Sequence, residues 1–173
     1  MPSRKAPAKA TAKASAAPFS LADSLIESFA INNRINEYLL LAIPDAAWRA
    51  EPPNGKGRTI AAIFAHIHNV RGMWLKVCAK GSGTTGKLDR LTCSKHEVLR
   101  ALDESWRALE EVLQASLSAD GRVRGFKPDA GAFLGYLIAH DAHHRGQITM
   151  LARQLGQPIP DSAMMGMWEW GKR

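Results

Sequence analysis

The stretch His140-Asp141-Ala142-His143-His144-Arg145-Gly146-Gln147 holds three of the six histidines in this 173-residue chain. It lies inside a longer segment whose apolar residues recur at helical spacing. The positions of that stripe are Phe133, Leu137, His140, His144, Gln147 and Leu151. Steps of three and four residues are typical of the core-facing side of a bundle helix. His140 and His144 therefore point the same way, and burying both imidazoles requires a polar partner.

A second segment, residues 60–79, repeats this pattern. Its stripe consists of Ile63, His66, Val70, Met73 and Val77. If the two stripes face each other, His66 converges on His140 and His144. Three neutral imidazoles from two helices can hold a divalent metal and leave coordination positions open. We therefore predict a metal site formed by these three histidines.

The rest of the chain predicts an all-α domain, because no segment alternates convincingly with the period of a strand. Four amphipathic segments with N-cap residues predict helices over residues 21–42, 60–79, 95–117 and 129–155. Pro128 is expected at the first helical position of the last helix, with Gly156 just beyond its end. Turn residues predict a loop over 44–58 and a flexible connection over 81–86. A four-helix bundle is the expected architecture, with residues 158–173 as an irregular tail across one end.

The chain has a net charge of +7. Whether this charge indicates a nucleic-acid partner depends on where the basic residues lie in the sequence. Residues 1–18 contain four basic and no acidic residues, so this segment carries more than half of the excess. We predict a disordered basic tail over 1–18 and a folded domain over 19–173. A solubilising role for the tail is favoured over weak electrostatic contact with nucleic acid.

Composition also indicates the cellular compartment in which the protein is expected. Apolar residues make up 46% of the chain and charged residues 23%, which is typical of soluble globular proteins. The sequence has no apolar run long enough for a membrane span and no secretory signal at its beginning. Cys78 and Cys93 form neither a metal-binding pair nor a disulfide framework, which favours a reducing cytoplasm.

The stretch from Ala139 to Ile148 resembles the last-helix motif of the DinB/YfiT-like superfamily. The segment Ile63-Phe-Ala-His66-Ile67, followed by Trp74, is similar to the segment that carries the first metal ligand in that family. The asparagine-rich first helix and the ending Met167-Trp-Glu-Trp170-Gly share the likeness, which covers about residues 20–170.

This resemblance implies a four-helix bundle whose metal ligands are His66, His140 and His144. Members with assigned chemistry are thiol-dependent transferases and isomerases that use bacillithiol, mycothiol or, in relatives, glutathione. The resemblance also implies a homodimer. The leading hypothesis is therefore a metalloenzyme with Zn²⁺ or Ni²⁺ on the three histidines, at which a low-molecular-weight thiol binds as thiolate and attacks an electrophile.

Further residues are candidates for roles around this metal. His143 is interpreted as an acid/base group beside the metal or as a residue of the rim. Gln147 is a candidate for orienting a ligand or substrate, with helix packing as its alternative. Trp74 is expected to line the pocket.

Other polar residues are interpreted as structural. His68 is expected at the surface, and His96 belongs to the first turn of the third helix. Asp141 and Arg145 are expected to form a solvated ion pair, with a contact from Asp141 to an imidazole N–H as the alternative. Cys78 is expected to be a buried small residue rather than a nucleophile.

Two other functional classes compete with the thiol transferase. In metal-assisted hydrolysis, the open position would bind water and lower its pKa. In a non-catalytic stress-response or DNA-damage-associated protein, the histidines would only stabilise the bundle. A structural zinc site usually has four protein ligands, so an open position argues against the second alternative.

Overall fold

The computed structural model describes residues 18–79 and 85–173. Four long helices form its body: α1 (Leu21–Ala42), α3 (Ile60–Cys78), α4 (Lys95–Leu117) and α5 (Ala130–Gln154). Two short helices, α2 (Asp45–Trp48) and α6 (Asp161–Gly166), follow α1 and α5. The described residues contain no strand, which confirms the predicted all-α class. The predicted basic tail, except Pro18, and residues 81–84 of the predicted connection lie outside the described residues.

The long helices form a bundle in which each packs mainly against two neighbours. Helices α1 and α3 each pack against both α4 and α5, so α1 lies diagonally across the bundle from α3. Helix α2 packs on α3, and α6 packs on α1. Within residues 18–79 and 85–173, no helix has the combined length and apolar character that crossing a membrane demands.

Local side-chain contacts explain where the helices begin. Ser20, Thr59 and Asp129 each accept a hydrogen bond from a backbone N–H in the first turn of the following helix. Ser94 and Glu97 form the predicted capping box at the start of α4. Pro128 precedes the N-cap Asp129, so its predicted placement at the first helical position was wrong.

Two segments predicted to be irregular contain short helices. Within the predicted loop over 44–58, Pro44 is the N-cap residue of α2. Within residues 158–173, Pro160 is the N-cap residue of α6. An aspartate follows each proline, in the first helical turn, where a negative charge is favourable. Pro44 thus directly follows the C-cap residue of α1 and also starts α2, whereas Pro160 only starts a helix, because α5 ends at Gln154.

The core divides into two apolar clusters along the bundle axis. The first lies around Leu39, Phe64, Leu102 and Ile148. The second lies around Phe29, Leu75, Leu109, Phe133 and Leu137. On each long helix, buried polar side chains lie between the residues of the two clusters. We call this set, together with the half-buried Arg145, the polar layer; its buried members are Asn32, Asn33, Asn36, Arg71, Ser105 and Asp141.

An ion pair between Arg71 and Asp141 lies at the centre of the polar layer. Arg71 Nη2 is 2.6 Å from Asp141 Oδ2, and the two side chains are 0% and 1% exposed. Asn32 and Asn36 donate to the same carboxylate oxygen at 2.8 and 2.9 Å. Burial alone would raise the pKa of Asp141, but the charge of Arg71 and these hydrogen bonds hold it well below its usual range.

The polar layer connects all four long helices. Arg71 Nη1 on α3 donates to Asn33 Oδ1 on α1 at 2.6 Å. It also approaches Leu102 O and Ser105 Oγ on α4 at 3.4 and 3.5 Å. On α5, Arg145 donates to the side-chain oxygens of two asparagines of α1. The predicted solvated pair between Asp141 and Arg145 was therefore wrong, since Asp141 is buried and Arg145 binds asparagines instead.

The prediction that His68 lies at the surface was also wrong. Its side chain is buried, with 1% of the residue exposed. Nδ1 lies 2.8 Å from Ala101 O on α4, and Nε2 lies 2.7 Å from Gly86 O. His68 therefore contacts α4 and the segment that follows α3.

Replacing Arg71 by methionine should destabilise the protein by about 3–5 kcal/mol, because Asp141 would remain as an uncompensated buried charge. The matched control is Arg107→Met, since Arg107 pairs with Asp103 on the surface and is 71% exposed. That change should have little effect, because solvent screens the surface pair. Urea unfolding of both metal-free variants measures the difference, and equal losses of stability would contradict the role of Arg71.

Candidate metal centre

The structure brings together the three histidines predicted as metal ligands. His66 lies on α3, and His140 and His144 lie one turn apart on α5. Their ring centroids are 4.5 Å apart for His140 and His144, and 4.7 and 5.3 Å apart for the pairs with His66. One potential ligand atom from each ring lies within 4.8 Å of the others. Helices α3 and α5 therefore bring imidazoles distant in sequence into one cluster.

The cluster lies at the edge of the core, because the predicted stripe of α3 is only partly buried. Met73 and Val77 are 50% and 40% exposed. The buried face of α3 is displaced by about one residue from this stripe and contains Phe64, Ile67, Arg71 and Leu75. On α5, Gln147 is exposed as well. His66 and Gln147 thus adjoin the bundle surface, and small molecules can approach the cluster from there.

A hydrogen bond to Gln147 favours one tautomer of His144. Gln147 Oε1 lies 2.8 Å from His144 Nδ1, and because a carbonyl oxygen can only accept, this contact favours a proton on Nδ1. His144 Nε2 therefore presents a lone pair, 3.2 Å from His140 Nε2. The contact places Gln147 against the ring of His144, and its role in orienting a ligand or substrate stays a prediction.

The other side of His140 faces the polar layer. His140 Nδ1 lies 3.6 Å from Asp141 Oδ1. Both atoms are buried and lack a hydrogen-bond partner among the described residues. A proton on Nδ1 is favoured by the carboxylate, which leaves the lone pair of His140 on Nε2.

With both protons on Nδ1, the Nε2 atoms of His140 and His144 face each other across 3.2 Å with their lone pairs, an arrangement that a cation between them would stabilise. Nitrogen ligands at ~2.0–2.1 Å from a tetrahedral Zn²⁺ are roughly 3.3 Å apart, close to this separation. His66 Nδ1 is buried and also has no hydrogen-bond partner among the described residues. The residues present therefore fit a divalent metal.

The electrostatics keep His66 and His144 neutral. Burial, followed by the positive charge of Arg58, lowers the pKa of His66 to about 4. Burial also lowers the pKa of His144, against the opposing effect of its hydrogen bond to Gln147. Both imidazoles are therefore deprotonated at neutral pH, which is the form that binds metal ions.

Comparison with known proteins identifies the family. The sequence pattern of the DinB family matches residues 15–170, nearly the whole described chain. The chain belongs to the DinB family. Over 42 residues it is 45% identical to the Uncharacterized protein YrdA of Bacillus subtilis (strain 168), a match that covers 24% of this chain and 25% of the relative. No solved structure is significantly similar to the chain.

The other predicted site residues of this DinB-family chain lie around the triad at different depths. His143 is exposed, with its ring centroid 5.0 Å from that of His144. Trp74 packs against Phe126, Phe133 and Tyr136 in an aromatic cluster. Trp74 is thus separated from the triad by Tyr136, whose ring is stacked 6.3 Å from His140.

Several residues around the triad were missed in the sequence analysis. Tyr136 precedes His140 by four residues, a spacing that places both on one side of α5. Arg71 occupies a core position of α3, four residues from both Ile67 and Leu75, so a charge within an apolar stripe was the available signal. Arg58, in the loop before α3, offered no periodic signal.

Replacing His66, His140 or His144 by alanine should each remove most of the bound metal, because a divalent ion would retain only two imidazole ligands. His143→Ala and His96→Ala are the controls, since both residues are exposed and lie outside the cluster. Elemental analysis of freshly purified protein measures the metal content. Full occupancy in His66→Ala would exclude the proposed triad.

The metal-free protein should lose stability as the pH falls from about 6.5 to about 4. In this window the unfolded chain protonates His66 at its ordinary pKa of ~6.5, whereas the folded chain binds that proton only near its lowered pKa of about 4. The unfolded state then binds more protons, so acid favours unfolding. Urea unfolding across this range should give a shallower dependence for His66→Gln; identical slopes would contradict the lowered pKa.

Proposed function

We propose that this DinB-family protein is a metal-dependent enzyme that uses a low-molecular-weight thiol for S-transfer or isomerisation. In this proposal, Zn²⁺ or Ni²⁺ is held by His66, His140 and His144. The observation that carries the proposal is the pair of facing Nε2 atoms of His140 and His144, 3.2 Å apart, at an edge of the core that is open to the surface.

Three neutral nitrogen donors suit an enzymatic site better than a structural one. Structural zinc sites usually have four protein ligands, whereas catalytic sites have three and one exchangeable position. Among the described residues, the cluster contains these three histidines and no further cysteine, aspartate or glutamate. A divalent ion there would supply positive charge that lowers the pKa of a bound thiol and favours the thiolate.

The chain's own side chains would hold the imidazoles in place for that chemistry. Gln147 keeps the proton of His144 on Nδ1, and Asp141 faces Nδ1 of His140. Arg71 fixes Asp141 from the opposite side. Contacts of this kind orient metal-binding histidines and increase their basicity.

The thiol is proposed to come from outside the chain. Burial raises the pKa of Cys78 and of Cys93, so both favour the unreactive neutral form. The only acidic residue at the triad, among those described, is Asp141, and Arg71 and two asparagines occupy one of its oxygens. A free carboxylate base for hydrolysis is therefore absent from this part of the structure, which favours an external thiolate as nucleophile.

His143 is the proposed carrier of protons during the reaction. It is exposed and adjacent to His144, so it can exchange protons with solvent while remaining close to the reacting thiol. A homodimer, a cytoplasmic location and a place for Trp74 in the wall of the pocket stay predictions.

The thiol proposal is tested with Co²⁺ in place of the native ion. A small thiol that binds the ion directly should produce a thiolate-to-metal charge-transfer band in the near ultraviolet. The Cys78→Ser, Cys93→Ser double variant should show the same band, which excludes the chain's own sulfurs as its source.

The His140→Ala protein serves as the second control and should give no band. Absence of the band with bacillithiol, mycothiol and glutathione, in fully loaded protein, would remove the thiol-transferase proposal. Metal-assisted hydrolysis would then be the leading function.

A further inference from the structure

A cavity of about 430 Å³ adjoins the triad, between the loop that precedes α3 and the C-terminal half of α5. Its lining includes Lys56, Arg58, Ile63, Gln147, Leu151 and Gln154. A volume of several hundred Å³ suits a small-molecule ligand. The position of this cavity makes it the candidate binding site for whatever reacts at the triad.

Two lining residues connect the cavity to the triad. Gln147 binds His144 Nδ1 at 2.8 Å, and Ile63 precedes His66 by one turn of α3. Arg58 lies in the same lining as Gln147, two residues before the start of α3, the helix that carries His66. A ligand in the cavity can therefore extend to the metal position.

The lining is positively charged and rich in hydrogen-bond donors. Lys56 and Arg58 supply two cations, and Gln147 and Gln154 supply side-chain amides. The residues that line the cavity include no aspartate or glutamate. Guanidinium and ammonium groups bind carboxylates and phosphates through charge-assisted hydrogen bonds.

The backbone of the loop favours this placement of the cations. Asn54, Gly55 and Gly57 have φ values of 72°, 63° and 108°. Glycine adopts such values without strain, so Gly55 and Gly57 allow the tight path that brings Lys56 and Arg58 to the cavity. The position of the two cations therefore depends on the two glycines of the loop.

We propose that this cavity binds the anionic group of a small ligand, a carboxylate or a phosphate, and that Arg58 is its principal charge partner. The inference deepens the proposed function and rests on it in one respect, namely that the reacting thiol belongs to the same ligand. The thiol would then reach the triad while its anionic end remains in the cavity.

The first test compares two thiols that differ in charge, β-mercaptopropionate and β-mercaptoethanol, in the Co²⁺-loaded protein. The anionic thiol should bind about tenfold more tightly than the neutral one. Arg58→Gln should remove this preference by weakening only the anionic thiol, and Arg58→Lys should retain part of it. Equal affinities in the wild type, or equal weakening of both thiols by Arg58→Gln, would overturn the proposal.

Arg124→Gln is the matched control, because it removes the same charge at the other end of α3. Gly125 packs against Val77 near the C-terminus of α3, whereas Arg58 lies just before its N-terminus. The 19 residues of α3 separate the two positions by roughly 27 Å. The control should leave the preference between the two thiols unchanged.

A thiol-free titration separates failure of this inference from failure of the proposed function. Succinate and inorganic phosphate are titrated calorimetrically into the metal-loaded wild type and Arg58→Gln. If no thiol gives a charge-transfer band but either anion binds through Arg58, the anion site stands and the thiol chemistry falls. If neither anion binds through Arg58 and no thiol binds, both fall. The anion that binds more tightly distinguishes a carboxylate ligand from a phosphate ligand.

Discussion

The ion pair between Arg71 and Asp141 is the interaction on which the rest of the structure depends. Both side chains are buried, and hydrogen bonds from α1 and contacts with α4 complete their surroundings. A buried ion pair contributes little net stability compared with apolar residues, but one unpaired charge in its place is costly. Sliding α5 by one turn against α3 would separate the two charges. The pair therefore opposes a change of register between α3 and α5.

The same carboxylate links the fold to the candidate metal centre. Asp141 Oδ2 is occupied by Arg71 and two asparagines, whereas Oδ1 lies beside His140 Nδ1. The orientation of His140 is consequently determined by the packing of four helices and not only by its own helix. Because the asparagines hold the carboxylate, changes in α1 can alter the metal centre without touching a histidine.

The sequence predicted those features that depend on nearby residues. Helix starts at Ser20, Thr59 and Ser94 follow from local hydrogen bonds, and the pairing of His140 with His144 follows from the helical repeat. The polar layer was missed because its partners come from different helices. Spacing alone makes Asp141 and Arg145 look like a surface pair, although asparagines more than one hundred positions away bury and bind them. The burial of His68 could not be predicted either, because its partners are backbone carbonyls, and no side-chain pattern reveals a backbone acceptor.

The balance of charge around the triad favours an anion at the side that faces solvent. Three neutral imidazoles leave the charge of a divalent ion uncompensated, and Arg58 increases the positive potential near His66 and His144. Asp141 offsets little of that charge, because Arg71 neutralises it within the core. A neutral water ligand would leave this excess in place, whereas a thiolate, or a ligand with a second anionic group, would reduce it. The buried ion pair and the exposed Arg58 thus act together. Arg71 neutralises Asp141, the acidic residue that lies beside His140. Arg58 attracts an anion from solution, which would supply the negative charge that Asp141 does not.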